Sequence, residues 1–171
     1  LFEKPASGAA DERPLLADVR SKVPLDWSSD GRFLLYSAQD SKNASDLWAL
    51  PLTGDRKSFP VVQSSFDDIE GQFSPDGRWV AYASNESGRY ETYVRPFPGS
   101  GGKWQVSTAG GTQPRWSPDG KAIYYVSLDN RLMAAPIRVA SDARAVEVGA
   151  PVALFPIHLA VGGNIAVGGN L

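Results

Sequence analysis

The ten residues FSPDGRWVAY, Phe73–Tyr82, decide how this chain folds. An aromatic residue precedes a Ser-Pro-Asp-Gly turn, which is followed by a cation and an apolar run ending in Tyr. The pattern occurs twice more, as WSSDGRFLLY over residues 27–36 and as WSPDGKAIYY over residues 116–125. A motif that recurs three times in one chain indicates a structural repeat, and its spacing indicates the size of the repeating unit.

The repeat has a period in the forties, since 46 residues separate Asp30 from Asp76 and 43 separate Asp76 from Asp119. Such a period with regular turn signals is typical of propeller blades or helical repeats. Helical repeats are disfavoured because turn residues fall inside every candidate helix and the apolar runs are short. Each unit instead predicts four strands, at 23–28, 32–37, 46–52 and 57–62; at 70–74, 78–84, 90–97 and 103–108; and at 112–117, 121–127, 131–138 and 145–154.

The motif predicts a tight turn into a buried strand. Pro presets the backbone angle φ, Gly supplies a positive φ, and the Asp carboxylate accepts backbone N–H bonds. The run WVAYA is apolar at consecutive positions, which predicts a strand buried on both faces between neighbouring blades. The motif aromatics Trp27, Phe73 and Trp116 are therefore predicted to pack between blades. The predicted structural turn residues are Asp30, Gly31, Asp76, Gly77, Asp119 and Gly120.

The unit resembles the TolB-type, WD-like β-propeller repeat, which begins with an aromatic-Ser-Pro-Asp-Gly motif and continues into an apolar strand. More narrowly, residues 71–99 and 101–127 resemble the C-terminal propellers of bacterial serine/threonine protein kinases. The resemblance implies an all-β protein, a β-propeller with about three four-stranded antiparallel blades. It also implies a bacterial source and a periplasmic or extracellular location.

The repeat divides the chain into five segments. Residues 1–22 are predicted to be the outer strand or linker of a preceding blade, 23–66, 67–111 and 112–155 the three blades, and 156–171 a tail or the start of a following blade. Propellers close with four to eight blades, so three blades predict a partial propeller. Alternatively, two copies would assemble head to tail as a homodimer into a six-bladed ring.

Composition excludes several kinds of site. Seventeen basic and nineteen acidic side chains give a net charge of -2, which disfavours nucleic acid as a partner. No apolar run is long enough to span a membrane, so no membrane insertion of this segment is predicted. The absence of Cys excludes disulfides and thiolate metal ligands. The single His, His158, cannot form a catalytic triad without a Ser and an Asp nearby.

No catalytic, cofactor-binding or metal-binding residue is therefore predicted, and a catalytic domain, if there is one, lies outside this chain. The oxygen-rich stretches 40–46 and 67–70, and the glycine-rich stretch 99–103, are interpreted as solvated loops rather than as calcium or phosphate sites. Trp48, Tyr90 and Trp104 are the candidate ligand-face residues, because they follow the repeat less regularly than the motif aromatics do.

The predicted function is a non-catalytic scaffold or binding module for a protein, peptide or glycan, which would use the rim loops and the central funnel. The kinase resemblance implies the sensor region of a bacterial serine/threonine kinase. Two alternatives remain open at this point. One is the propeller domain of a hydrolase or a prolyl-oligopeptidase-like peptidase, and the other is a self-assembling structural repeat.

Overall fold

The structure, a computed structural model, describes residues 1–17, 20–39, 44–99, 101–140 and 145–157. In these ranges every regular element is a β-strand, and there is no helix that could cross a membrane. The strands are β1 (Phe2–Glu3), β2 (Arg13–Pro14), β3 (Lys22–Trp27), β4 (Phe33–Gln39), β5 (Ser45–Pro51), β6 (Phe59–Val62), β7 (Asp68–Phe73), β8 (Trp79–Ser84), β9 (Glu91–Pro96), β10 (Trp104–Gln105), β11 (Thr112–Trp116), β12 (Ala122–Val126), β13 (Arg131–Val139), β14 (Val146–Val148) and β15 (Val152–Pro156).

Strands β3 to β15 form three antiparallel sheets in chain order, except that β15 pairs with β13 rather than with β14. Strands β3–β6 make the first blade, β7–β10 the second, and β11–β15 the third. Strands β1 and β2 pair with each other as a separate N-terminal hairpin. The predicted fold class, an all-β partial β-propeller of about three blades, is confirmed.

The blades pack face to face through two apolar cores. Leu35 of the first blade and Tyr82 of the second belong to the core between those two blades. Trp79 of the second blade and Ile123 of the third belong to the next core. Strand β8 is buried at all six positions because its alternate side chains enter different cores. The prediction that this strand is buried on both faces is confirmed.

Side chains of the first strand in a blade hold the first strand of the next blade. Asp26 Oδ2 accepts a hydrogen bond from Phe73 N at 2.8 Å, and Gln72 Oε1 accepts one from Trp116 N at 2.7 Å. Glu70 Oε2 accepts a third from Gln113 N at 2.6 Å. These inter-blade bonds give the neighbouring strands a fixed register in addition to the apolar packing.

The fourth strands depart from the predictions. The single strand predicted over 145–154 is wrong, because β14 and β15 pair separately with opposite ends of β13. Between them Gly149 N bonds to Pro136 O at 2.8 Å, and Pro151 has no N–H to donate. In the second blade the strand predicted over 103–108 is only two residues long, since Val106 and Ser107 both turn their N–H groups to Thr92 O.

Trp27 also departs from its prediction. Phe73 is 4% exposed and Trp116 is 8% exposed, as expected for residues between blades, but Trp27 is 52% exposed. The two buried aromatics pack against a complete preceding blade. Trp27 is preceded by the N-terminal hairpin, whose leucines pack against a different cluster of the first blade, which includes Tyr36 and Leu50. The prediction that Trp27 packs between blades is therefore wrong.

The division of the chain at residues 22, 66, 111 and 155 stays a prediction, as does the assignment of residues 1–22 to a preceding blade. His158 and most of the predicted tail lie outside the described residues.

Candidate binding cleft

The hairpin turn of the second blade, residues 74–78, is held by its own side chains. Asp76 Oδ1 accepts hydrogen bonds from Ser74 Oγ at 2.6 Å and from Arg78 N at 3.1 Å. Ser74 Oγ also accepts one from Trp79 N at 3.0 Å, so the Ser hydroxyl joins the carboxylate to the first residue of β8. Gly77 has φ of 69°, the left-handed conformation that favours glycine.

The turns of the first and third blades have the same construction. Asp30 Oδ1 accepts hydrogen bonds from Ser28 Oγ at 2.8 Å and Arg32 N at 3.0 Å. Asp119 Oδ1 accepts them from Ser117 Oγ at 2.7 Å and Lys121 N at 3.1 Å. The three predicted turn carboxylates therefore occupy equivalent places, each inside its own hairpin.

These hydrogen bonds favour the ionised carboxylates. The Arg32 backbone N–H, followed by the Ser28 hydroxyl, lowers the pKa of Asp30 from 3.8 to about 2. The Ser117 hydroxyl and the Lys121 backbone N–H lower the pKa of Asp119. For Asp76, desolvation acts to raise the pKa, but the bonds from Ser74 and Arg78 outweigh it and the pKa is lowered. All three carboxylates are charged and already engaged by their turns.

The cation that follows each Gly distinguishes the three turns. Arg32 Nε pairs with Asp30 Oδ2 at 2.6 Å, and Arg78 Nε pairs with Asp76 Oδ2 at 2.8 Å. Lys121 has no ion pair with any residue that the structure describes, although its charge helps to lower the pKa of Asp119. The third turn therefore leaves its cation available, whereas the first two turns neutralise theirs.

The first turn is also the only one of the three in which Ser replaces Pro at the third position of the ten-residue motif. Ser29 Oγ donates a hydrogen bond to Pro75 O at 2.9 Å, which joins the first turn directly to the second. The substitution therefore supplies an inter-blade contact that a proline ring could not make.

A cleft of about 620 Å³ lies between the second and third turns. Its walls include the exposed rings of Pro75 and Pro118, and Trp79 and Trp116 line it from within. Trp79 is 1% exposed, and the Nε1 atoms of both tryptophans are buried with no hydrogen-bond partner among the described residues. The volume falls within the usual range for ligand sites, and the lining is mainly apolar.

Two cations at the margin of the cleft form no ion pair with any residue that the structure describes. Asp76 and Asp119 are both engaged by their own turns, as described above. Lys121 and Arg138 line the cleft, and neither forms an ion pair within the described part of the chain. Arg138 lies opposite Glu147 in the ladder between β13 and β14, but no salt bridge joins them. The cleft thus combines an apolar lining with two cations at its margin.

The candidate ligand-face residues lie elsewhere and apart from one another. Trp48 packs in the cluster that the N-terminal hairpin makes with the first blade, with Arg20 4.9 Å above its ring. Trp104 contacts Trp79 edge-on, with 5.7 Å between ring centroids, in the core between the second and third blades. Tyr90 precedes β9, at the opposite end of the blade from the hairpin turns. Their shared ligand face stays a prediction.

The interpretation of the oxygen-rich stretch 67–70 as a solvated loop is wrong, because Asp68 to Glu70 begin β7 and Asp68 is buried. The stretch instead holds neighbouring segments together. Asp67 Oδ1 accepts from Ser45 N at 3.0 Å, and Asp68 Oδ2 accepts from Ser64 Oγ at 2.7 Å. Burial raises the pKa of Asp68, because it is almost fully removed from water. Among the described residues no group of three His, Cys, Asp or Glu side chains could hold a metal ion. Residues 40–43, Ser100 and His158 lie outside the description.

Sequence reasoning missed the cleft because it treated the Ser-Pro-Asp-Gly motif as a turn alone. The signal was present in the sequence: two consecutive units carry the Pro, whereas the first carries Ser29. Two proline-bearing turns on adjacent blades bring two apolar walls to the same end of the propeller. The change from Arg to Lys121 in the third unit was also visible in the sequence.

Comparisons with known proteins agree with the fold. No protein-family model matches the chain, and no curated protein matches it. A solved TolB from Acinetobacter baumannii is 20% identical, with a TM-score of 0.69 over 92% of this chain and 37% of that one. A TolB-like protein from Agrobacterium tumefaciens is also 20% identical, with a TM-score of 0.64 over 86% of this chain and 55% of that one.

The chain thus spans between about a third and about half of the length of these two structures. It has the TolB-type β-propeller fold.

Proposed function

We propose that this chain is a non-catalytic, protein-binding β-propeller module and that the cleft between its second and third hairpin turns is the binding site. The cleft carries the proposal, because exposed apolar walls and two cations without an ion pair among the described residues occur together in it. Propellers display their functional residues on the connections between strands, which the packed blades hold in place.

A segment of another protein fits this cleft better than a small polar metabolite. Pro75, Pro118 and Pro136 are exposed along its walls and offer apolar contact but no N–H groups. Specific small-molecule sites need several polar groups that converge on the ligand. Here the carboxylates of Asp76 and Asp119 already accept hydrogen bonds from their own turns. An extended segment would gain affinity by laying apolar side chains along the proline walls.

The proposal is tested by selecting binders from a random peptide library displayed on phage. The selected peptides, synthesised and titrated into ¹⁵N-labelled protein, should shift the indole N–H signals of Trp79 and Trp116 and leave that of Trp27 unchanged. Trp27 is the internal reference because it ends β3 of the first blade and does not line the cleft.

A pair of variants locates the site. Pro118→Trp places a large ring in the cleft and should abolish binding of the selected peptides. Pro60→Trp changes an exposed proline on β6 of the first blade and should leave binding unchanged. The proposed site is wrong if Pro118→Trp binds as well as the parent protein, and the proposed function is wrong if the library yields no binder.

A finer proposal is that this module is the sensor region of a bacterial serine/threonine kinase. It is supported by the resemblance of residues 71–99 and 101–127 to kinase-linked propellers. The flanking coding sequence tests it directly: a kinase catalytic domain in the same reading frame would support the proposal, and a hydrolase domain there would overturn it.

A further inference from the structure

The charge at the cleft indicates what kind of segment it takes. In the first two turns the motif arginine is neutralised by its own Asp, at 2.6 Å for Arg32 and 2.8 Å for Arg78. In the third turn Lys121 has no ion pair among the described residues, and its partner position, Asp119, is satisfied by a hydroxyl and a backbone N–H. Of the three motif cations, Lys121 is therefore the one without an ion pair among the described residues, and it lines the cleft.

A second cation stands beside the first. Ile137 N donates to Lys121 O at 2.8 Å, so the chain at Lys121 and the chain at Ile137 are directly bonded neighbours. Arg138 is the next residue along β13 and also lines the cleft. Lys121, which immediately precedes β12, and Arg138 of β13 thus bring two cations without an ion pair among the described residues to one end of the third blade.

We propose that the cleft takes an acidic peptide segment, whose carboxylates meet Lys121 and Arg138 while its apolar side chains lie on Pro75 and Pro118. This inference rests on the proposed function and adds the chemical class of the partner. A carboxylate suits both cations, and Arg can bind one with two parallel hydrogen bonds. A basic segment would face two cations that form no ion pair among the described residues, which disfavours it by repulsion.

A ligand that carries only negative charge would not cover the apolar walls of the cleft. The proline walls and the nearby Ile137 and Val139 offer apolar surface, which a free phosphate or a nucleic-acid backbone would leave uncovered. The partner segment is therefore expected to alternate carboxylates with aliphatic or proline residues.

Two matched synthetic peptides test the inference against the full chain. Both have the same Leu and Pro residues, and one carries Glu where the other carries Lys. Titration followed by the Trp79 and Trp116 indole signals should show binding of the Glu peptide only, weakening as salt is raised. Lys121→Gln and Arg138→Gln should each weaken that binding about threefold to tenfold, the range between an exposed and a charge-assisted contact.

Arg32→Gln is the matched control, because Arg32 holds the same motif position in the first turn and does not line the cleft. It should leave binding of the Glu peptide unchanged, and circular dichroism should show that all three variants are folded.

Equal binding of the Glu and Lys peptides would overturn the acidic class and leave the protein-binding function intact. Equal displacement of the Glu peptide by a short DNA strand would overturn the peptide class. Failure of both peptides, together with failure of the library selection, would overturn the function itself.

Discussion

The first and third hairpin turns have almost the same sequence and the same internal hydrogen bonds, yet they stand in different surroundings. Asp30 and Asp119 accept the same two kinds of bond, from a Ser hydroxyl and from the backbone two residues on. The aromatic that leads into the turn is 52% exposed at Trp27 and 8% exposed at Trp116. The motif thus determines the turn, and the preceding blade determines whether the aromatic is buried.

The difference extends to function. The third turn faces another proline-bearing turn and forms a cleft with it, and its cation is unpaired. The first turn has Ser29 bonded to the second turn and an arginine paired with its own Asp. One repeated motif therefore provides a structural contact in one blade and a candidate binding surface in another.

The largest expected effect is on stability when the two motif tryptophans are removed. Trp116→Ala should lower the free energy of unfolding by about 3–5 kcal/mol, because it empties part of the core between the second and third blades. Trp27→Ala should cost about 1 kcal/mol or less, since half of that side chain already contacts water. Urea denaturation of the two variants measures both. Equal losses of unfolding free energy in the two variants would contradict the claim that Trp116 is buried between blades and Trp27 is not.

A smaller effect is expected from the bond that holds Trp116 to the second blade. Gln72→Leu leaves Trp116 N without the acceptor that now lies 2.7 Å away, and a buried unpaired N–H costs about 1–3 kcal/mol. Gln72→Glu keeps an acceptor oxygen at the same place and serves as the control. If both variants unfold at the same urea concentration, the bond does not contribute to the blade junction.

The smallest effect concerns how stability depends on pH in acid, and it tests whether the first and third turns hold their carboxylates in the same way. The folded pKa of Asp30 is about 2, below the ordinary value of 3.8, so its ionised form stabilises the fold above pH 4. That contribution is lost as pH falls through the folded pKa. Asp30→Asn should therefore make the loss of stability between pH 4 and pH 2 shallower, as measured by denaturation at each pH.

Asp119→Asn should change the acid response in the same direction, because the pKa of Asp119 is lowered by the same kinds of bond. A response in one variant only would show that the tertiary surroundings, and not the turn itself, hold these carboxylates ionised.

Much of the fold was predictable because its signals are local. Pro, Asp and Gly at fixed positions specify the turn, and the consecutive apolar residues of Trp79–Ser84 specify a strand buried on both faces. The exposure of Trp27 was not predictable, since it depends on what precedes the first blade. The Gly149–Pro151 interruption carried a visible signal in its glycine and proline, but the register with Pro136 was needed to place it.

The candidate cleft was harder to predict than the fold, because it depends on two turns 43 residues apart in the chain. Sequence reasoning recognised each turn separately and could not show that Pro75 and Pro118 form facing walls. The hydrogen bonds that Glu70 and Gln72 accept from the next blade could not be predicted for the same reason, since each joins residues of two different blades.

The burial of the motif aromatics is tested most directly by hydroxyl-radical footprinting with mass spectrometry, which measures the oxidation rate of each side chain in the folded protein. Trp27 should be oxidised much faster than Trp116, and Trp79 should be protected as strongly as Trp116. Equal oxidation rates at Trp27 and Trp116 would contradict the claim that a preceding blade, rather than the motif itself, buries the aromatic.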